Sequence, residues 1–286
     1  MRLVSTLLLW VLGLGLSLAQ KADHEVFPLK HHLKSDTISW KQFEAQVSIS
    51  FRLKAIDYIT DNFFNFVVEL SENVQNTYYR HFYFVELNGD TLTDVVFEGW
   101  SGLNHKSVMI FKNIDNHSFV RLFDAKEIAI DVKIENQRLQ HLTVVDFGND
   151  MEYLVQEVRY VFDSELNSSI RYVRAYPNEV EFPDQLFEKP FKFRINTPLY
   201  TLRLSPLIDN EPRFLFLDEV RGNTIGVFRE GNIGYVWGQK TDSNQEVWWF
   251  VEMMPVKKIS QSLIYISSGS LRALGWMKAE LLQKVK

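Results

Sequence analysis

Hydrophobic positions along the chain change period near residue 80. Between Phe51 and Val74, the residues Ile56, Ile59, Phe63, Val67, Leu70 and Val74 recur at three- and four-residue intervals, with Lys54, Asp57, Asp61 and Glu72 elsewhere. That spacing predicts one amphipathic helix. From His81 the period falls to two. It is clearest where Ile128, Ile130, Val132 and Ile134 alternate with Ala129, Asp131 and Lys133, and again in Val158, Tyr160 and Phe162. Half-buried antiparallel strands produce this alternation. Short β runs are predicted at 81–87, 94–98, 107–112, 117–123, 127–134, 139–146, 155–163 and 169–176. Their regular spacing suggests meandering hairpins with the helix on one face or end.

Pro177, Pro183 and Pro190, interspersed with acidic residues, mark a connector, and a second β unit follows from about Phe193. The expected fold class is mainly β. An α+β domain with an antiparallel sheet and one long helix would span 20–190, and a small β-barrel would span 191–286.

The N-terminus bears on the compartment. Arg2 precedes an apolar run from Leu7 to Leu18, and Ser17-Leu18-Ala19 offers a small-x-small cleavage site. The run is interrupted by Gly13 and Gly15 and is shorter than the roughly 17–25 apolar residues of a membrane span. A cleaved signal peptide at 1–19 is therefore expected, giving a secreted or periplasmic protein with no stable membrane span after cleavage. The chain has no cysteine, which excludes a lipidated-cysteine anchor, disulfides and thiolate chemistry.

With 31 Lys plus Arg against 36 Asp plus Glu, the formal charge is −5, and loss of Arg2 makes it −6. The basic residues are scattered, so nucleic acid is not an expected partner. An apolar content of 46% supports packed cores rather than disorder.

The most distinctive local pattern is Glu86-Leu-Asn-Gly-Asp-Thr-Leu-Thr-Asp94, which places oxygen-bearing side chains at alternate positions between two strand-like runs. Glu86, Asn88, Asp90 and Asp94 can surround a hard cation, the Leu92 carbonyl can add an oxygen, and Gly89 permits the turn. A metal-free reading is open beside it, an Asx-type turn whose carboxylates hold backbone amides.

Residues 84–97 resemble the calcium loop of FG-GAP and related repeat domains, in which a strand leads into Asp-x-Asn-Gly-Asp-Gly-x-x-Asp and an apolar strand follows. The resemblance implies a structural Ca2+ held by Glu86, Asn88, Asp90, Asp94 and the Leu92 carbonyl. Glu86 stands where the family has Asp, and Thr91 where Gly is common. The motif occurs convincingly once, and its echo at Asp146–Glu152 lacks the last carboxylate, so a complete propeller of such repeats is not expected.

Near the C-terminus, Leu202-Arg-Leu-Ser-Pro206, Gly222 to Gly231, Gly234-Tyr-Val-Trp237, Trp248-Trp-Phe-Val251 and Gly275-Trp-Met-Lys278 follow one another. In order and spacing these resemble a bacterial Src-homology-3-like domain. The resemblance implies a small barrel with a peptide groove, and points to Tyr235, Trp237, Trp248, Trp249 and Trp276 as its lining. Pro255 to Leu274 would then be an insertion.

Catalytic patterns are weak. Gly99-Trp-Ser101-Gly102 is one residue short of a nucleophile elbow, and no histidine spacing of a zinc hydrolase occurs. The expected function is a non-enzymatic exported binding protein that recognises a peptide, protein or cell-wall component. The alternative is an envelope-polymer hydrolase that uses a carboxylate pair in the N-terminal domain, with the barrel as its targeting module.

Overall fold

The computed structural model describes residues 29, 40–64, 79–100, 106–126, 128–146, 154–215, 218–256 and 271–285. The expected leader at 1–19 and the expected helical segment 65–74 lie outside these residues.

Ser48 opens the helix α1 (Ile49–Phe63), its hydroxyl accepting the Phe51 amide at 3.2 Å and satisfying one of the amides that a helix start leaves unpaired. Ala55, Ile56, Ile59 and Thr60 form its buried stripe. The helix ends at Phe63, because Phe64 is extended, with φ −123° and ψ 101°. The expected unbroken helix from Phe51 to Val74 is therefore interrupted at Phe64. Phe64 is drawn into the core, with ring centroids 5.2 Å from Phe97 and 6.3 Å from Phe82, and such tertiary contacts override local periodicity.

Beneath α1 lies an antiparallel sheet of β1 (Phe82–Val85), β2 (Asp94–Trp100), β3 (Lys106–Asn113) and β4 (Phe119–Lys126), paired in chain order. Phe82, Phe84, Val95, Phe97, Met109, Phe111 and Phe119 meet the helix. Each such buried side chain contributes about 1.5–3 kcal/mol.

A second meander follows: β5 (Ile128–Glu135), β6 (Arg138–Asp146), β7 (Leu154–Phe162) and β8 (Ser168–Pro177). The chain continues through β9 (Phe191–Ile195), β10 (Leu199–Arg203), the hairpin of β11 (Pro212–Leu215) and β12 (Asp218–Arg221), then β13 (Thr224–Arg229). It ends with β14 (Ile233–Thr241), β15 (Val247–Met253), β16 (Leu271–Lys278) and β17 (Leu282–Lys284).

These later strands share one sheet in the order β17-β9-β14-β15-β16-β8-β7-β6-β5, with β10 bridging β13 and β16. The junction is a short parallel ladder in which Leu271, Arg272 and Ala273 of β16 face Val173, Arg174 and Ala175 of β8. The sheet is thus continuous across residue 190, where the sequence suggests a boundary.

The connector itself is pinned down. Glu181 N donates to Leu204 O at 2.8 Å, Phe187 N donates to Trp237 O at 2.7 Å, and the Phe182 ring lies between Tyr176 (5.5 Å) and Phe250 (5.1 Å). All these elements belong to one compact unit, Ser35–Lys286. The fold is mainly β with predominantly antiparallel sheets. Among the described residues no helix is long and apolar enough to cross a membrane.

Candidate functional site

The loop between β1 and β2 is closed by its own acidic side chains. Glu86 Oε1 accepts the amides of Asn88 (3.0 Å) and Gly89 (2.8 Å), Asn88 Oδ1 accepts that of Asp90 (3.0 Å), and Asp90 Oδ1 accepts that of Leu92 (2.8 Å). Asn88 Nδ2 donates to Asp90 Oδ2 at 2.7 Å. Asp94 is fully buried, its two oxygens taking the amides of Leu87 (3.1 Å) and Asn113 (2.9 Å). Burial pushes the Asp94 carboxyl up to about 7 against the pull of those amides, and the nearby charges of Glu86 and Asp90 add to the rise.

Gly89 takes φ +81°, a conformation that favours glycine, and a Cβ there would come within 2.9 Å of the flexible Arg138 Nε. Thr91 sits at φ 72°, at the position where the calcium-loop family carries Gly. The loop also reaches the second sheet, since Leu87 O accepts the Leu139 amide at 2.8 Å and Asn88 bridges Arg138.

The predicted ligands therefore do come together, but as placed they bind mainly backbone amides, and Leu92 takes part through its N–H. Among the described residues no three Asp, Glu or His side chains form a group that would hold a metal ion. One atom stands apart: Glu86 Oε2 is buried and has no hydrogen-bond partner.

Of the predicted groove aromatics, Tyr235, Trp237, Trp248 and Trp276 are buried, and Trp249 is half-buried, with its ring 5.2 Å from Phe191 and 6.2 Å from Phe193. The indoles are anchored. Trp237 Nε1 donates to Glu252 (2.9 Å), Trp248 Nε1 to Asp242 (3.1 Å) and Trp276 Nε1 to Glu181 O. These rings build the core of the C-terminal strands, as large aromatics with satisfied N–H groups commonly do.

An open surface lies beside them instead. The turn at Ser205–Ile208 and the β14–β15 turn at 242–246 flank a cleft of about 500 Å³ lined by Leu207, Ile208, Glu181, Lys240, Glu246 and the edge of Trp248. Leu207 and Ile208 are 49% and 57% exposed. Asp242 shapes the second turn by accepting the amides of Asn244 (2.8 Å) and Glu246 (3.0 Å). Its carboxyl is held below the usual range by the Glu246 amide, assisted by the Trp248 indole.

Sequence reasoning missed a buried charged layer. Arg174 of β8 bonds Glu157 of β7 (2.8 Å) and Glu252 of β15 (3.3 Å), all three fully buried, and Arg272 of β16 lies 3.6 Å from Glu252. Tyr176 donates to Glu157 at 2.8 Å. Further along, the Arg272 guanidinium sits 4.2 Å over the Tyr172 ring, whose hydroxyl accepts from Arg159 at 2.9 Å. Arg159 then reaches His141 (2.6 Å) and Asp131 (3.4 Å).

Burial opposes the charge on Arg174, yet Glu252 and Glu157 outweigh it and hold the guanidinium above its ordinary pKa. A signal was present in the sequence. Val173-Arg174-Ala175, Val251-Glu252-Met253 and Leu271-Arg272-Ala273 each set a charge between apolar residues, and a charge buried in such a setting needs an internal partner.

Elsewhere Glu181 pairs with Lys240, Glu246 with Lys278 at 2.6 Å, and Asp242 with the Trp248 indole. Glu157 and Glu252 converge on an arginine inside the protein, where the chemistry is charge compensation. Searches of protein-family models, curated proteins and solved structures found no match to this chain.

Proposed function

We propose that this chain is an exported binding protein that docks a peptide or envelope component on its C-terminal, Src-homology-3-like strands. The observation that carries the reading is the cleft of about 500 Å³ with Leu207 and Ile208 exposed at its edge. Its volume falls within the roughly 300–1,000 Å³ of ligand clefts. Export rests on the Arg2 and Leu7–Leu18 leader pattern with its Ser17-Leu18-Ala19 site.

The test is retention of a degenerate decapeptide library on the immobilised mature chain, compared with Ile208→Asp. The parent should retain peptides that the variant loses, and equal retention by both would remove the cleft from the reading.

A second reading concerns the β1–β2 loop, which would take a structural Ca2+; the buried, unpartnered Glu86 Oε2 favours it. Asn88, Asp90 and Asp94 would have to share oxygens now given to amides. Thermal melts with calcium and with chelator, on the parent and on Asp90→Ala, decide this. At about a hundred times its Kd, calcium should stabilise the parent by about 2.7 kcal/mol and leave the variant unmoved. Identical melts in every condition would reduce the loop to a turn.

A further inference from the structure

The cleft carries a charge pattern as well as an apolar edge. Among its lining residues Glu181, Asp242 and Glu246 supply three carboxylates against the single ammonium of Lys240. The cations that now answer these acids come from the protein itself. Lys240 pairs with Glu181, their side chains 48% and 42% exposed, and Lys278 is shared between Glu246 (2.6 Å) and Glu280 (3.1 Å).

The exposed Lys240–Glu181 pair contributes only about 0–1 kcal/mol, so an incoming cation can displace it at little cost, while Glu246 shares the more covered Lys278 with Glu280. Asp242 is different, because its oxygens hold the turn and the Trp248 indole in place. It supplies fixed negative charge without being free to move. Leu207 and Ile208 add aliphatic surface to the same cleft, and the buried Trp248 backs it.

We infer that this cleft docks a basic polypeptide segment, setting a Lys or Arg of the partner between Glu181 and Glu246 and a neighbouring aliphatic side chain on Leu207 and Ile208. The inference rests on the docking reading above and names its ligand class. A second copy of this chain is a poor occupant, since the chain is itself net acidic at −5 and like-signed surfaces repel.

The probe is a set of acetylated decapeptide pools of matched hydrophobicity, enriched in Lys and Arg, in Asp and Glu, or in neutral residues. The full mature chain is titrated against each pool by fluorescence anisotropy at low and at high salt. The basic pool should bind at least about tenfold tighter than the others, with an advantage that shrinks as salt rises. Glu181→Gln combined with Glu246→Gln should abolish the advantage, and a melt of that variant reports its folding. Lys240→Gln keeps the carboxylates and removes a competing cation, so it should tighten the basic pool whether or not the double variant folds.

Equal or better binding of the neutral or acidic pools would overturn the basic ligand class and leave the docking cleft standing. Binding of no pool would bring down both.

Discussion

At the scale of single residues, the β5–β6 turn shows how local backbone chemistry can run against a side chain. Asn136 and Gln137 take φ 52° and 58° between the paired residues Glu135 and Arg138, so both central positions are left-handed. Hairpin turns of this kind favour Asn-Gly. Asn fits the first position, whereas Gln137 carries a Cβ penalty of about 1–2 kcal/mol. Gln137→Gly should therefore stabilise the protein by about 0.5–1 kcal/mol after the added unfolded-state entropy is deducted. A urea titration would show this as a higher midpoint at unchanged slope. A lower midpoint would mean that the Gln side chain makes up for its backbone.

Glu98 gives a second prediction at this scale. Burial raises its carboxyl to about 7, against backbone amides of Ala129 and Trp40 and the charge of Lys106. The protonated form is thus favoured by folding. Its contribution is fully present below the unfolded value of 4.5 and is lost as pH rises through about 7. Glu98→Gln should flatten the fall in melting temperature over that window, and an unchanged slope would assign the fall to other groups. The short apolar run within 94–98 marks this strand in the sequence, but the desolvation of Glu98 depends on distant segments and could not be read there.

At the scale of elements, the strands were legible because their chemistry is local. The expected runs 107–112, 139–146 and 155–163 differ by one residue or less at each end from β3, β6 and β7. Gly231 at φ 81° closes the tight turn at the end of the Gly222–Gly231 stretch, and of the paired tryptophans Trp248 is the inward one, a choice that spacing alone leaves open. The single expected helix is interrupted at Phe64, which Phe82 and Phe97 draw into the core, a contact that the period of Val67, Leu70 and Val74 in the sequence could not reveal. The aromatics of the C-terminal strands were recognised as a group. Whether they face solvent or core depends on pairing partners far away in sequence, and most face the core.

The pairing of charges across strands was not legible either, since Glu157, Arg174, Glu252 and Arg272 come from four separate strands. Arg174→Leu would leave two buried carboxylates without this cation, and breaking a buried pair from one side costs about 3–5 kcal/mol. The variant should lose that amount in chemical denaturation. A loss below about 1 kcal/mol would mean that these carboxylates protonate or reach water in the native state.

At the scale of the whole molecule, residue 190 looks like a boundary in the sequence because prolines and acidic residues gather before it. Physically, the boundary is crossed three times. The strap 180–187 lies on the C-terminal strands through the Leu204 and Trp237 carbonyls and the Phe182 ring; the β8–β16 ladder joins the sheets; and Arg174 reaches Glu252. Without the N-terminal part, Glu252 loses the Arg174 guanidinium and keeps only Arg272 at 3.6 Å, and Phe250 and Trp276 lose the surface supplied by 181 and 182. A fragment of residues 191–286 should therefore give a poorly dispersed amide NMR spectrum, while the full chain unfolds in one cooperative transition monitored by tryptophan fluorescence and far-ultraviolet dichroism together. The fluorescence reports mainly the C-terminal strands, where Trp237, Trp248, Trp249 and Trp276 lie, and the dichroism reports every strand. Coincident curves follow if the charged seam couples the two halves, whereas a dispersed fragment spectrum with separated transitions would make the seam a contact between independent domains.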